Sequence, residues 1–199
     1  NAQGRYKYKD NTFILADVPG MYSLMANSEE EEVARNFICF GDSDAVVVVT
    51  DATCLERNLY LVLQILEVTT NVVVCVNLMD EAKRKHIYVD LNELSRLLGV
   101  AVIGTSASTG KGLDELMEAV LQVTVRRNDS AHLEISYDEV IEKCIDIIES
   151  GVKELPHKAL NSRWISLKLL DGDEKLLKSL EKYLELDLLK NQALFQKLE

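Results

Sequence analysis

Residues 72–80 read VVVCVNLMD, and this stretch decides the fold. Its first five residues are apolar and mostly β-branched, which is typical of a parallel strand covered on both faces. Two similar runs flank it in the chain, AVVVV at 45–49 and VAVI at 100–103. Each run is followed by a segment with apolar residues at helical spacing. This alternation predicts an α/β fold with parallel strands joined by right-handed crossovers.

The beginning of the chain differs from this pattern. Two β-like runs, 5–9 and 12–17, are joined by Asp10 and Asn11, which are favourable turn residues. They predict an antiparallel hairpin that precedes the parallel strands. Ser28, with Glu31 three residues later, then has the spacing of a helix N-terminal capping box.

The end of the chain is predicted to be helical throughout. Beyond residue 125 β-like runs disappear, and the polar stretch RRNDS at 126–130 reads as a linker. Helical segments are expected at about 137–154, 158–170, 173–184 and 187–198. The sequence therefore predicts an α/β domain over residues 1–125 and a smaller all-helical domain over residues 126–199.

Composition excludes several classes of function. The net charge of −11 repels phosphate backbones, so the chain is not expected to bind nucleic acid. Its four cysteines are widely spaced and lie far in sequence from the histidines, which argues against a structural zinc site. Reduced, mostly buried thiols are the expectation. No apolar run reaches the length of about 18 residues that crosses a bilayer.

Polar residues follow three of the predicted strands, at the point where each strand ends. Asp17 and Gly20 follow the hairpin, Asn77 and Asp80 follow the 72–76 run, and the last set follows the 100–103 run: Thr105, Ser106 and Ala107. Ligands of open parallel sheets bind outside the carboxyl ends of the strands. We therefore expect the three sets to converge on one edge of the sheet.

The first set has the chemistry of a phosphate and metal site. A carboxylate such as Asp17 can hold Mg²⁺ through water, and the Gly20 amide can approach a terminal phosphate. The alternative interpretation of these two residues is a plain turn.

The other two sets have the chemistry of a purine site. The Asp80 carboxylate can accept hydrogen bonds from the ring N–H and the exocyclic amine of guanine, a pair that adenine does not offer. A backbone amide of Ser106 or Ala107 can donate to the guanine carbonyl. Helix capping is the alternative for Asn77 and Asp80, and a loop of small residues is the alternative for the other pair.

The order D-x-x-G, N-x-x-D, S-A resembles the third to fifth motifs of Ras-like GTPases. Longer stretches resemble the cytosolic GTPase domain and appended helical domain of the ferrous iron transport protein B family. They are DVPGMYSL at 17–24, SEEE at 28–31, DAT at 51–53, LERNL at 55–59, RWISLKLL at 163–170 and GD at 172–173.

The resemblance implies a Ras-like P-loop GTPase sheet followed by a helical module that acts like a nucleotide-dissociation inhibitor. It also implies slow GTP hydrolysis that regulates a bacterial-type membrane ferrous iron transporter. The nucleotide-binding residues would be Asp17, Gly20, Asn77, Asp80, Thr105, Ser106 and Ala107.

The implied cofactors are GTP or GDP and Mg²⁺, with Asp17 as the water-mediated metal ligand and potassium as a further candidate cation. The implied partner is a membrane-embedded iron-permeation domain of the same protein, which places this part at the cytoplasmic face of the inner membrane. Oligomerisation is left open.

Two positions depart from the Ras-like pattern. Met21 stands where Ras-like enzymes carry a water-orienting Gln, and Leu78 stands where many carry a Lys that stacks on the base. A thioether cannot orient water, which favours slow hydrolysis.

No G-x-x-x-x-G-K-[S/T] occurs in the 199 residues. That phosphate loop, the first strand and a switch Thr are expected to precede the hairpin, so the chain is expected to begin just after them. The catalytic residue stays unknown. An alternative function is therefore an interaction module that binds nucleotide weakly or not at all. An adenine-nucleotide enzyme is disfavoured by Asp80 and by the Ser106–Ala107 pair.

Overall fold

The computed structural model describes residues 2–26, 28–125, 135–155 and 160–188. The chain divides into two compact units, residues 1–133 and residues 134–199. The first is mixed α/β, and every described element of the second is a helix, which confirms the predicted fold class. The predicted linker at 126–130 lies outside the described residues.

The first unit begins with the expected antiparallel hairpin. Strand β1 (Ala2–Tyr8) pairs with strand β2 (Asn11–Asp17). The predicted turn at Asp10 and Asn11 is wrong by one residue, because Asn11 already pairs with Tyr8 in the ladder. The turn consists instead of Lys9 and Asp10, and Lys9 adopts a positive φ of 50°.

A separate parallel sheet has the strand order β3-β4-β5. Its strands are β3 (Val46–Asp51), β4 (Val72–Asn77) and β5 (Ala101–Gly104). Every residue from Val72 to Val76 is buried, because β4 has a neighbour on each side. The prediction that the 45–49 run is covered on both faces is wrong. Strand β3 lies at the sheet edge, and Val47 and Val49 are 37% and 64% exposed.

Five helices connect or flank these strands in the described part of this unit. They are α1 (Glu29–Phe40), α2 (Leu55–Val68), α3 (Met79–Arg84), α4 (Leu91–Leu98) and α5 (Leu113–Val125). Ser28 caps α1 as predicted, because its hydroxyl accepts a hydrogen bond from the Glu31 amide at 3.2 Å.

The hairpin packs on α5. Phe13 of β2 packs against a core cluster that includes Val73, Ala119 and Val120. The Tyr8 hydroxyl donates to the carbonyl oxygen of Asp114 at 3.2 Å. The hairpin and the parallel sheet therefore belong to one unit, although no ladder joins their described strands.

Three helices form the described part of the second unit: α6 (Glu139–Val152), α7 (Ser162–Asp171) and α8 (Glu174–Leu184). Gly172 ends α7 with a φ of 71°, a conformation that glycine adopts without strain. The helical core contains Ile145, Trp164, Ile165 and Leu180, each 2% exposed or less. The predicted helix at 187–198 lies almost entirely outside the described residues.

One ion pair ties α6 to α7. The Arg163 guanidinium donates two hydrogen bonds to the Glu142 carboxylate, both at 2.8 Å, and a third to the carbonyl oxygen of Ile135 at 3.0 Å. The Tyr137 amide also donates to Glu142, at 2.7 Å. These donors, Arg163 first, lower the pKa of Glu142 to about 2.

Among the helices of the described ranges, we find none that combines the length and the apolar character needed to cross a membrane.

The Glu142–Arg163 pair makes the stability of the helical unit depend on pH. Because folding lowers the pKa of Glu142 to about 2, its contribution is complete above the unfolded pKa and is lost as the pH falls towards 2. We expect Glu142→Gln to lower the melting temperature at pH 7, and the difference from wild type to vanish near pH 2. Fluorescence of Trp164, the only tryptophan, reports the transition.

A matched control for this prediction is Glu139→Gln, which breaks an exposed pair with Lys143 on the same helix. Exposed pairs of this kind contribute about 0–1 kcal/mol, so we expect little change at any pH. A melting-temperature difference between Glu142→Gln and wild type that stays constant from pH 7 to pH 2 would contradict the proposed role of the pair.

Gly112 closes the loop between β5 and α5, and it has no room for a side chain. Its φ is +81°, and a Cβ would lie 2.2 Å from the Gly104 carbonyl oxygen. We expect Gly112→Ala to lower the free energy of unfolding by about 3 kcal/mol, because backbone must shift. Gly110, with a φ of +75° and open space around it, is the matched control.

Urea unfolding followed by circular dichroism measures both glycine variants. Gly110→Ala carries the cost of the positive φ alone, about 1–2 kcal/mol. Equal destabilisation by the two variants would show that the close approach to Gly104 does not limit this loop.

Candidate functional site

The candidate site begins where the central strand ends. Asn77 is the last residue of β4, and Asp80 lies in the first turn of α3. Between them Leu78 adopts the left-handed conformation, with a φ of 62°. This conformation is uncommon for a branched apolar residue and costs about 1–3 kcal/mol. Sequence pattern alone offered no signal for it, and strain of this kind often occurs at functional sites.

The Asn77 side chain connects β4 to the loop after β5. Its Oδ1 accepts a hydrogen bond from the Thr105 hydroxyl at 3.0 Å and another from the Ala107 amide at 3.1 Å. Thr105 is 1% exposed, and its hydroxyl also contacts the Cys75 sulfur at 3.2 Å. The carboxamide is therefore fixed in orientation by two donors.

A second pair of hydrogen bonds joins the same two loops. The Ser106 hydroxyl accepts from the Asp80 amide at 3.1 Å, and the Met79 amide donates to the Thr105 carbonyl oxygen at 3.1 Å. Ser106 is only 3% exposed. Four hydrogen bonds in all hold the N-x-x-D and S-A segments together, as the sequence predicted for residues at the ends of neighbouring parallel strands.

The Asp80 carboxylate is the unusual group of this cluster. Its Oδ1 is buried and has no hydrogen-bond partner among the residues that the structure describes. A buried acceptor without a partner costs about 1–3 kcal/mol, more when it is charged. Such atoms are rare in folded proteins, and this one is open to a donor from a ligand or from water.

The neighbouring strand adds a rigid corner that the sequence analysis did not assign. Asp51 lies opposite Asn77 in the ladder, and the Ala52 amide donates to the Asn77 carbonyl oxygen at 2.9 Å. The Asp51 carboxylate accepts from the Thr53 amide at 2.7 Å, and this bond lowers the pKa of Asp51. The Asn58 side chain accepts from the Asp51 amide at 2.8 Å. An Asp two residues before a Thr is the sequence signal for such a turn.

Asp17 and Gly20 are not part of this hydrogen-bonded cluster. Asp17 ends β2, which belongs to the other sheet, and no described hydrogen bond joins it to Asn77 or Asp80. Gly20 has open space where a side chain would be. The structure thus brings together five of the seven predicted residues (Asn77, Asp80, Thr105, Ser106 and Ala107) and leaves the convergence of the other two as an expectation.

The two oxygens of the Asp80 carboxylate can accept hydrogen bonds from a ligand that presents two adjacent donors. Metal binding by protein side chains alone has less support here. Within the described ranges, no group of three or more His, Cys, Asp or Glu side chains is placed to hold an ion.

Comparison with known proteins agrees with this geometry. Residues 1–120 match the family model described as ferrous iron transport protein B, and residues 137–199 match the model described as FeoB cytosolic helical domain. The two matched regions fall on the two units of the structure.

A curated relative is the Fe(2+) transport protein A/Fe(2+) transporter FeoB fusion protein of Porphyromonas gingivalis. It is 34% identical over 179 residues, which cover 87% of this chain and 21% of the relative. The Fe(2+) transporter FeoB of Escherichia coli K12 is 31% identical over 175 residues, or 22% of its length. The chain thus spans about a fifth of the curated relatives that it matches.

Among solved structures, the cytosolic domain of the T. maritima FeoB iron transporter in a GDP form superposes with a TM-score of 0.82. The identity is 33%, and the match covers 98% of this chain and 75% of that one. With two family models covering most of its length, the chain belongs to the ferrous iron transport protein B family and has the fold of its cytosolic G domain and helical domain.

Proposed function

We propose that this chain is the guanine-nucleotide-binding part of a longer ferrous iron transporter, and that the whole protein hydrolyses GTP slowly to regulate transport. Asn77, Asp80, Ser106 and Ala107 would surround the base. The observation that carries this proposal is the buried, unpartnered Oδ1 of Asp80 beside a loop held by four hydrogen bonds.

Guanine fits the Asp80 carboxylate better than adenine does. The ring N–H and exocyclic amine of guanine lie side by side, so they can donate to the two carboxylate oxygens together. Adenine has a ring acceptor where guanine has the N–H, and that lone pair would face a negative charge. A mismatch at a site built for hydrogen bonding is discriminated strongly, because it leaves buried groups unpaired.

The two backbone amides that could donate to the guanine carbonyl already have acceptors within the chain. The Ala107 amide already donates to Asn77 Oδ1 at 3.1 Å, and the Ser106 amide donates to the Lys111 carbonyl oxygen at 2.9 Å. A guanine carbonyl would therefore share or take over the Ala107 donor. We therefore expect base binding to change the hydrogen bonding of the Ala107 amide more than that of any other amide in the loop.

Asp17 and Gly20 are proposed as the phosphate end of the site. A single carboxylate fits a Mg²⁺ ion that is bound through water, since this ion keeps several waters and takes its remaining ligands from phosphate. Bound Mg²⁺ would neutralise phosphate charge. Potassium stays a candidate cation without a residue assigned to it. Met21 cannot orient a water molecule, which supports slow hydrolysis.

The relatives support the wider setting of the proposal. The T. maritima cytosolic domain is known in GDP and GMPPNP forms, and the E. coli relative is a Fe(2+) transporter. We propose that the partner of this chain is the membrane-embedded permeation domain of the same protein. This chain would then lie at the cytoplasmic face of the inner membrane.

A second candidate function is an interaction module with little affinity for nucleotide. The sequence contains no G-x-x-x-x-G-K-[S/T], whose amides and lysine supply much of the affinity for a polyphosphate. Titration of a fluorescent GDP analogue against the 199-residue chain separates the two candidates. Saturable binding that GTP but not ATP displaces supports the base site, whereas absence of any binding supports the module.

Asp80→Asn tests the base assignment directly. An Asn side chain presents one donor and one acceptor, which match the carbonyl and ring N–H of xanthine rather than the donor pair of guanine. We expect the affinity ratio of GDP to XDP to invert, with GDP weakened about tenfold or more. Competition against the fluorescent analogue measures both affinities.

The matched control is Asp42→Asn, an exposed aspartate in the loop between α1 and β3. It changes the net charge equally and should leave the ratio of the GDP and XDP affinities unchanged. An unaltered ratio in Asp80→Asn would show that Asp80 does not contact the base.

A further inference from the structure

The segment between β2 and α1 lies against helix α2. Residues 18–25 form neither helix nor strand, so their backbone polar groups need partners elsewhere. The Leu24 amide donates to the Gln64 side-chain oxygen at 2.7 Å. Leu24 itself is 6% exposed, although its neighbours along the segment are half-buried or exposed. Leu24 is therefore one anchor of the segment on α2.

A second contact joins the same segment to the same helix. The Arg57 guanidinium lies over the Tyr22 ring, with its central carbon 3.9 Å from the ring centroid. This is well inside the distance at which a cation is attracted to an aromatic face. Tyr22 remains 58% exposed, so the stacking holds the ring on the surface rather than in a core.

Arg57 and Gln64 lie on one face of α2. They are seven residues apart, which is two helical turns, and residues at this spacing share a face. Tyr22 and Leu24, their respective partners, are two residues apart in the segment. The two contacts therefore run in parallel along one side of the helix, and we call Arg57 and Gln64 the α2 clamp.

The helix that carries the clamp is fixed to the candidate base site. Asn58 of α2 accepts from the Asp51 amide at 2.8 Å, and the Ala52 amide donates to the Asn77 carbonyl oxygen at 2.9 Å. A continuous series of contacts thus runs from Asn77 through the start of α2 to the segment that contains Gly20.

We infer that Arg57 and Gln64 are positioning residues, which hold the segment 18–25 on α2. A Cβ placed on Gly20 would meet no atom within 4 Å beyond its chain neighbours, so no side-chain contact holds this position. An effect of the clamp on a phosphate bound near Gly20 would rest on the function proposed above. The clamp itself does not, because both of its contacts join residues of this chain.

Hydrogen exchange of the Leu24 amide in the 199-residue chain without nucleotide tests the clamp. Gln64→Leu removes the acceptor at similar size, and we expect exchange at Leu24 to be about fivefold faster, as for the loss of one hydrogen bond. Gln64→Glu keeps an acceptor oxygen at the same place, so it should restore protection. A merely structural role of Gln64 would not distinguish these two variants.

Arg57→Ala tests the second contact in the same measurement. We expect it to speed exchange at Leu24 about two- to threefold, because loss of the Tyr22 stacking releases the neighbouring backbone. The Tyr22→Leu variant should have a similar effect, and the double variant should add little to either single one. Fully additive effects would show that Arg57 and Tyr22 act separately.

The matched control is Gln122→Leu, a glutamine on α5 whose amide donates to Glu118. It should leave Leu24 exchange unchanged, and the amides of Ile65 and Leu66 report the integrity of α2. Equal Leu24 protection in wild type and Gln64→Leu, or equal loss in Gln64→Leu and Gln64→Glu, would overturn the inference.

This experiment is independent of the proposed guanine site. Asp80→Asn could leave the nucleotide preference unchanged while Gln64→Leu speeds hydrogen exchange at the Leu24 amide. The base assignment would then be wrong, and the clamp would be retained. The opposite pair of results retains the base site and removes the clamp.

Discussion

The described site depends on one side chain, the Asn77 carboxamide, whose oxygen accepts hydrogen bonds from Thr105 and Ala107. Together with the hydrogen bonds from the Asp80 and Met79 amides, these two bonds fix the loop after β5 relative to Asp80. The position of Asn77 follows in turn from the burial of β4 at the centre of the parallel sheet. Packing of the five apolar residues of β4 thus positions Asn77, and the Asn77 carboxamide orients the candidate base site.

The site contrasts a satisfied polar network with one unsatisfied atom. Asn77, Ser106 and Asp51 all have their side-chain acceptors engaged, which makes the loops rigid before any ligand arrives. Asp80 Oδ1 is the exception. The loops are already held in place, and Asp80 Oδ1 is the acceptor that lacks a partner. A ligand with a donor at that position therefore binds better than one without it, so the site favours ligand selectivity over high affinity. This agrees with a base site whose polyphosphate affinity would come from other groups.

Much of the fold could be predicted from the sequence, because β-branched runs and helix caps such as Ser28 act locally. The joining of Asn77 with Ser106 could also be predicted, since neighbouring parallel strands end at one edge. What could not be predicted depends on tertiary context. Nothing local marks β3 as an edge strand with Val49 exposed, and nothing local pairs Gln64 with Leu24, forty residues away. The left-handed conformation of Leu78 likewise has no local signal in the sequence.

The most direct measurement of the central claim is a heteronuclear NMR titration of the 199-residue chain with GMP and, separately, with AMP. NMR detects millimolar binding, so base recognition can be seen without a strong phosphate contribution. We expect GMP to shift the amides of Ala107 and Asp80 and AMP to leave them in place. Equal shifts with both nucleotides, or GMP shifts confined to residues outside the two loops, would contradict recognition of guanine at this site.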